Sequence, residues 1–446
     1  MTRPRLTLAM IVRDEESHLA RCLDSVEGLV DEIVVVDTGS TDGTMRVASS
    51  RGAKVTRLEW TDDFSAARNR SLEQATHDWV LVLDADEVVQ EQDALALERQ
   101  LDDPSLLALE LTLVNEYGRG ETRSFRSTRL FRNRPEIRYR FPVHEQVTPS
   151  IAKLVRDGQG TTALGPIVVR HFGYTPEMIE QRHKTERNRG ILRAYLDSGG
   201  DDLYIEYQSV RQELTLVGER VLPKKGLPAC MDRLDRVRGR MQEPLPPFAP
   251  EIFLRLAQGS LALERTDDAV ALVEEGIRRT GDRIYFRFFR ALLGSDAAAL
   301  EECVGRPCVA DSFETDDQYG GAYPLTALGQ LAFRDGKPLQ ALGRLRQAMR
   351  MAPWYASPHV ALGRNELERG VPRTALEHFL AAIKTCPDDP EGWVGAAATA
   401  RRLGLEDQAT RWIATVLEKL PLHGPALALA RESGIDGLPN PGVPGV

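Results

Sequence analysis

The sequence predicts two parts, an α/β domain on a Rossmann-like sheet over residues 1–175 and an all-α region of helical repeats beyond it. Three observations carry this. Short β-branched runs alternate with amphipathic helical segments in the first part. Acidic residues close two of those runs, at Asp37 and at Asp84-Ala85-Asp86. In the second part, glycine, alanine and bulky apolar residues recur with a period of 34. A chain of 446 residues has room for two or three domains, each with its own core.

Leu6 to Val12, Glu32 to Asp37, Ala53 to Leu58 and Trp79 to Asp84 read as strands, and their alternation with helices predicts a parallel arrangement. Between the first two, Glu15 to Val26 carries Leu19, Leu23 and Val26 at i, i+4 and i+7, an amphipathic helix with an acidic start that suits the helix dipole. A second helix opens near Thr41-Asp42 and ends by Gly52. Ligands of open parallel sheets sit beyond the carboxyl ends of the strands. Asp37 stands there, followed by the small-residue loop Thr38-Gly39-Ser40-Thr41-Asp42-Gly43-Thr44, and so do Asp84 and Asp86, at the end of an apolar strand where they can hold a cation. The chain has neither the Walker Gly-Lys-Ser/Thr nor the Gly-x-Gly-x-x-Gly fingerprint, which argues against an ATPase and a dinucleotide oxidoreductase.

Composition narrows the class further. With 57 Lys and Arg against 66 Asp and Glu, the formal net charge of −9 gives no electrostatic reason to expect nucleic acid as a partner. Five scattered cysteines without a C-x-x-C pair indicate neither a disulfide framework nor a zinc knuckle, and fit reduced thiols in the cytoplasm. The apolar run Leu6 to Val12 is broken by Arg13-Asp14-Glu15-Glu16, too short for a signal peptide, and no run reaches the roughly 18–20 apolar residues of a membrane span.

Four ordered segments, Met10 to Glu16, Asp31 to Thr44, Phe64-Ser-Ala-Ala-Arg-Asn69 and Trp79 to Glu87, resemble family 2 glycosyltransferases of the GT-A fold. The resemblance covers about residues 5–175 and implies a role for each matching position. Asp37 would bind the nucleobase, Asp84 the ribose or the metal, and Asp86 a divalent cation, Mg²⁺ or Mn²⁺, bridging the two phosphates, with Ala85 between them at the sugar donor. Ile11, Val12 and Arg13 would line the base pocket with Glu15 nearby, and Arg68 would face the nucleotide or diphosphate. The alternative for Arg68 is a surface salt bridge to Asp62 or Asp63, and for Glu87 a place at the start of the next helix, outside the metal site.

An inverting transfer needs a general base to take the acceptor's proton as the nucleophile attacks the anomeric carbon. Strand-like stretches Leu107 to Glu116 and Ser124 to Phe131 lead to His144-Glu145, where related sequences carry a His-Glu pair, so Glu145 is the expected base. Neighbours on a strand point to opposite faces, so one of His144 and Glu145 would face the sugar. Ile167 to Tyr174 reads as a last strand, whose His171 is a third metal ligand, a diphosphate contact or a packing histidine.

Beyond Thr175 helical periodicity takes over. Glu177 to Leu196, rich in charge (Arg182, His183, Lys184, Arg187, Arg189), reads as a linker helix within a helical linker region, 176–245, its cationic side either solvated or touching phosphate. The proline-rich Glu243 to Pro250 separates that region from the repeats at 246–435. The repeat markers are Gly336, Gly370 and Gly404; Ala341, Ala375 and Ala409; Leu345, Phe379 and Ile413; and Pro353, Pro387 and Pro421. Three copies at this spacing resemble tetratricopeptide repeats, with a further unit at Ile252 to Asp282. Residues 436–446, rich in Pro and Gly, read as a disordered tail.

The combined expectation is a metal-dependent inverting glycosyltransferase that uses a nucleoside-diphosphate sugar, with UDP as the expected nucleotide, and a peptide, protein or glycan as acceptor. The repeats would bind that acceptor or form a homodimer. Two alternatives stand beside it: a tetratricopeptide scaffold with a degenerate transferase domain, and a sugar nucleotidyltransferase. The second lacks its basic glycine-rich loop after the first strand, where Arg13-Asp14-Glu15-Glu16 stands.

Overall fold

The computed structural model describes residues 5–117, 121–172, 178–200, 202–218, 226–308, 313, 316–419 and 423–434. They fall mainly into two compact units, Met1–Gly118 with Thr122–Gln212, and Glu213–Cys308 with Asp316–Val446.

The first unit is built on one eight-stranded mixed sheet. Strands β1 (Leu6–Val12), β2 (Glu32–Asp37), β3 (Lys54–Arg57) and β4 (Trp79–Val82) are parallel, and β5 (Glu87–Gln92), β6 (Leu106–Glu116), β7 (Thr122–Arg132) and β8 (Thr161–His171) extend the sheet in the order β3-β2-β1-β4-β7-β6-β8-β5. β1 and β4 are apolar on both faces because both faces are covered, as parallel sheets require. Leu8, Met10, Leu81 and Leu83 join a core with α1 (Leu19–Ser25), α2 (Thr44–Ser50) and α4 (Ala94–Asp102). Ala9, Val80, Val82 and Phe131 join a second core with Leu72 of α3 (Phe64–Gln74) and Ile151 and Leu154 of α5 (Thr148–Arg156). α1 starts at Leu19 instead of Glu15, because Glu15 to His18 form the turn whose Glu15 carbonyl accepts the His18 and Leu19 amides.

The sheet order makes β1 the pivot. The chain winds outward through β2 and β3 on one side and returns through β4 on the other, so the carboxyl ends of β1, β2 and β4 meet at a topological switch point. β7 runs antiparallel to β4 and continues past its end. Where β7 pairs β6, Leu130 faces Leu109 but Thr128 faces Glu110, which leaves Arg129 as the extra residue of a bulge.

The segment expected as a helical linker carries α6 (Met178–Asp197) and α7 (Leu203–Gly218). Ile191, Leu192 and Ile205 pack with Phe141, Val143, Trp60 and Phe64, so this segment is part of the first unit's core. The side chains of Arg182, His183 and Lys184 lie outside the described residues.

The second unit begins with α8 (Leu227–Arg240) and continues in helical pairs: α9 (Ala249–Ala262) with α10 (Thr266–Thr280), α11 (Ile284–Leu293) with α12 (Ala297–Cys303), α13 (Ala322–Arg334) with α14 (Pro338–Met351), α15 (Ser357–Glu368) with α16 (Pro372–Thr385), and α17 (Pro390–Arg402) with α18 (Glu406–Lys419), before α19 (Gly424–Glu432). The period-34 markers have distinct jobs. Gly336, Gly370 and Gly404 take φ of +69°, +76° and +74°, the left-handed turn between paired helices that a side chain disfavours. Ala341, Ala375 and Ala409 are fully buried where the pair crosses, beside Leu345, Phe379 and Ile413. Pro421 and the tail 436–446 lie outside the described residues. The α11–α12 pair is absent from the sequence expectation, because Ser295 holds its left-handed turn at φ +51° without a glycine.

Candidate functional site

The turn Asp84-Ala85-Asp86-Glu87 follows β4 and is closed by the Glu87 amide donating to the Asp84 carbonyl at 3.1 Å. Glu87 opens β5 instead of a helix, and its pairing with His171 on β8 sets the geometry of the site. That register brings residues 85 positions apart into contact: Asp86 Oδ2 lies 3.0 Å from His171 Nε2, while Nδ1 of the same ring meets Asn115 Oδ1 at 2.9 Å. Burial works against the imidazolium, but the hydrogen bond and charge of Asp86, with Glu87 and Asp84, raise the His171 pKa above its ordinary value.

Asp84 is held by two arginines. Arg68, on α3, donates to Oδ1 through one terminal nitrogen, and Arg129 Nη2 lies 3.3 Å from Oδ2. Arg68 Nε also donates to Glu145 Oε1 at 3.1 Å, so one buried guanidinium bridges the strand-end acid and the expected base. Burial disfavours the Asp84 carboxylate, yet Arg68 and Arg129 overcome this and hold its pKa far below the usual range. The surface alternative for Arg68, pairing with Asp62 or Asp63, is therefore incorrect. Asp63 instead caps α3 by accepting the Ala66 amide at 3.0 Å, and Asp62 accepts from the Trp60 indole.

Glu87, only 2% exposed, accepts from Arg129 at 2.7 Å and from the Asp84 amide at 2.8 Å. Burial, opposed by Arg129 and reinforced by Asp84, pushes its pKa up to about 7. Arg129 and Glu87 are the site residues that sequence reasoning missed. The available signal was the row Arg123, Arg126, Arg129, Arg132 on one strand, which alternation spreads over both faces until the bulge re-aims Arg129.

Glu145 and His144 sit in a loop rather than on a strand. Arg140 and Gln146 close it with reciprocal 3.0 Å backbone bonds, and Phe141 and His144 take left-handed φ of +76° and +53°. Asn69 fixes this loop to α3 by exchanging 3.0 and 2.8 Å bonds with the Tyr139 backbone, which explains the Arg-Asn pair: Arg68 serves the site and Asn69 its frame. Glu145 points to Arg68. His144 points the other way, accepting from Gln212 at 2.9 Å, and burial with the nearby Arg211 lowers its pKa to about 4, so the ring is neutral.

At the β1 and β2 ends, the Asp37 carboxylate accepts from the Gly39 and Ser40 amides at 3.1 Å through Oδ1, and the fully buried Oδ2 has no partner. Val12 ends β1 opposite Asp37, with Ile11 beside it. Arg13 is exposed, and the Glu15 amide donates to Thr44 at 2.7 Å, tying the loop after β1 to the loop after β2.

Comparison with known proteins agrees with this geometry at the level of the domain. The glycosyl transferase family 2 model matches residues 7–155. The amino-terminal domain is a family 2 glycosyltransferase domain. A TPR repeat-containing protein of Synechococcus elongatus is 44% identical over 203 residues, 45% of this chain and 50% of that protein. The SPbeta prophage-derived glycosyltransferase SunS of Bacillus subtilis is 28% identical over 198 residues, 43% of this chain and 45% of that one. The chain thus spans about half the length of these curated relatives. Among solved structures, S. aureus TarS 1–349 in complex with UDP-GlcNAc aligns with 63% of this chain and 93% of its own at 15% identity and a TM-score of 0.36.

Within the family 2 domain, the expected metal residues divide. Asp86 and His171 present a carboxylate and an imidazole side by side, whereas both Asp84 oxygens face arginines. Among the described residues no group of three or more His, Cys, Asp and Glu is arranged to hold a metal. Two protein ligands still fit Mg²⁺ or Mn²⁺ at a nucleotide site, because such ions complete their shell with phosphate oxygens. Among the described residues no helix is long and apolar enough to cross a membrane.

Proposed function

We propose that the protein transfers a sugar from a UDP-sugar to a peptide, protein or glycan acceptor with inversion, using a divalent cation. The single observation behind this is the Glu145–Arg68–Asp84 bridge beside the Asp86–His171 pair, at the one edge where β1, β2 and β4 end.

In this reading Asp37 Oδ2, buried and unpartnered, accepts the uracil N–H, and Ile11, Val12 and Arg13 flank the base with Glu15 behind them. Asp86 and His171 would hold Mn²⁺ or Mg²⁺, which when bound neutralises the departing diphosphate. Asp84 stays ion-paired and orients Arg68, whose unpartnered terminal nitrogen Nη1 is a free donor for a donor-sugar or phosphate oxygen. Glu145 takes the acceptor proton through its other oxygen, while Arg68 holds Oε1 in place. His144, turned away to Gln212, supports the loop rather than the proton transfer. The repeats would present the acceptor or form a homodimer.

The test is nucleotide release and thermal stabilisation with UDP-, GDP- and TDP-sugars in the presence of Mn²⁺. UDP-sugars are expected to bind and turn over; binding of none of the three sinks the reading.

A further inference from the structure

Four arginines occur on β7 at three-residue spacing, and three have a use in the fold. Arg123 stacks on Tyr117 with 4.8 Å to the ring, Arg129 joins Asp84 to Glu87, and Arg132 lies 4.3 Å from the Trp79 ring and donates to the carbonyls of Leu101, Asp103 and Leu106. Arg126 has none. It is half-buried, its Nε is shielded from solvent without a hydrogen-bond partner, and no described carboxylate forms an ion pair with it. A cation in that state is costly unless something anionic meets it.

Its position says what that is. Phe125 packs on the core with α1 and α4, so Arg126 stands on the opposite face, the one that carries Phe131 and is covered farther down by α3 and α5. That is the face from which Arg68 reaches Asp84 and Glu145. The β4–β7 pairing ends at Leu81 with Leu130, and Arg129, just beyond it on β7, reaches Asp84, so Arg126 lies farther along β7 past the carboxyl end of β4. Across the sheet, β2 and β1 carry the proposed uracil pocket, β4 the diphosphate and sugar end, and β7 follows on the far side of β4. At about 4.8 Å per strand, a ligand continuing in that direction leaves the donor and enters acceptor space at β7.

The remaining charges on this face do not satisfy Arg126. Arg170 on β8 is already paired with Glu116, and Glu110 stands diagonal to Arg126 across the β6–β7 ladder, where Arg126 faces Thr112, without forming an ion pair.

We propose that Arg126 binds an anionic group of the acceptor, a carboxylate or a phosphate, on the β7 side of the transfer site. This rests on the glycosyltransferase reading for the word acceptor, but the anion subsite itself can be tested without turnover.

The experiment titrates the full-length protein, saturated with UDP and Mg²⁺ so that the diphosphate site is filled, with inorganic phosphate, succinate and glucose, reading affinity by calorimetry. Wild type should bind phosphate, succinate or both, and not glucose; Arg126→Gln should lose at least about tenfold in that affinity and Arg126→Lys less, with UDP affinity as the control for folding. Preference for phosphate assigns a phosphoryl group, and preference for succinate a carboxylate. Equal anion affinity in wild type and Arg126→Gln, or no anion binding by UDP-loaded wild type, overturns the proposal. If wild type fails to bind UDP, the donor reading falls, and the same titration of the free protein still decides on Arg126.

Discussion

Asp86 Oδ2 and His171 Nε2 stand 3.0 Å apart because the first residue pair of the β5–β8 ladder is Glu87 with His171. A turn residue and a strand-end histidine thereby stand side by side, the pair proposed to hold the cation. Asp86→Ala should remove Mn²⁺-dependent stabilisation by UDP and cut turnover on the order of 100-fold or more, since a lost ligand forfeits several kcal/mol of charge stabilisation at the leaving group. Circular dichroism and the melting curve without ligand should match wild type. Retained Mn²⁺ dependence in this variant would move the cation elsewhere.

Glu145 and Arg68 invite a separate kinetic test. Glu145→Gln keeps the shape and one hydrogen bond to Arg68 Nε but cannot take a proton. Transfer should fall by about 10²–10⁴-fold while UDP-sugar affinity stays within a few-fold, because the proposed role of the side chain is with the acceptor proton and not with the donor. A Glu145→Gln enzyme with full transfer activity would show that the base is another group.

How much of this was legible in the sequence depends on which force places each residue. Asp37, Asp84 and Asp86 were legible because an acid ending an apolar strand has one place to go, the sheet edge. The repeats were legible because a left-handed turn and a crossing point each demand a residue type at a fixed interval. Arg129 was not, since a β-bulge is a register event between two strands and leaves no local signature. Glu87 looked like a helix start because an acid after a turn suits one, and only the long-range pairing with β8 makes it a strand. The same pairing explains Asn115, whose contact with His171 Nδ1 comes from β6 meeting β8 in parallel.

The Arg129–Glu87 pair should be unequal under substitution. Arg129→Met leaves Glu87 buried beside Asp84 with no cation, the situation that costs about 3–5 kcal/mol in a buried pair. Glu87→Gln should cost less, because burial already pushes this carboxyl up to about 7 and a neutral amide keeps one of the two hydrogen bonds through its single oxygen. Urea unfolding of the two variants measures the difference. Equal losses would mean that Arg129 is held by Asp84 alone.

His144 supplies a pH dependence with a defined sign. Its folded pKa, lowered to about 4 by burial and Arg211, lies below the ordinary value of about 6.5 in the unfolded chain, so the unfolded state binds the proton more readily. The contribution is complete above about pH 6.5 and is lost as pH falls towards 4, on the order of 3 kcal/mol over the window. His144→Gln should flatten that part of the stability profile at some cost at neutral pH, where the bond with Gln212 is changed. An unchanged slope between pH 6.5 and 4 in the variant would assign the acid sensitivity to other groups.

The repeat turns give a test in which packing plays no part. A Cβ built on Gly370 meets nothing within 4 Å, so Gly370→Ala adds no clash and its cost is purely that of a left-handed backbone, about 1 kcal/mol. The equivalent turn between α9 and α10 is held by Glu264 at φ +61°, which already carries that cost. By the same balance, Glu264→Gly relieves that cost and should stabilise by up to about 1 kcal/mol. Thermal unfolding should therefore show Gly370→Ala destabilised and Glu264→Gly stabilised. If alanine at 370 is as stable as glycine, the period-34 glycine owes its place to something other than the turn.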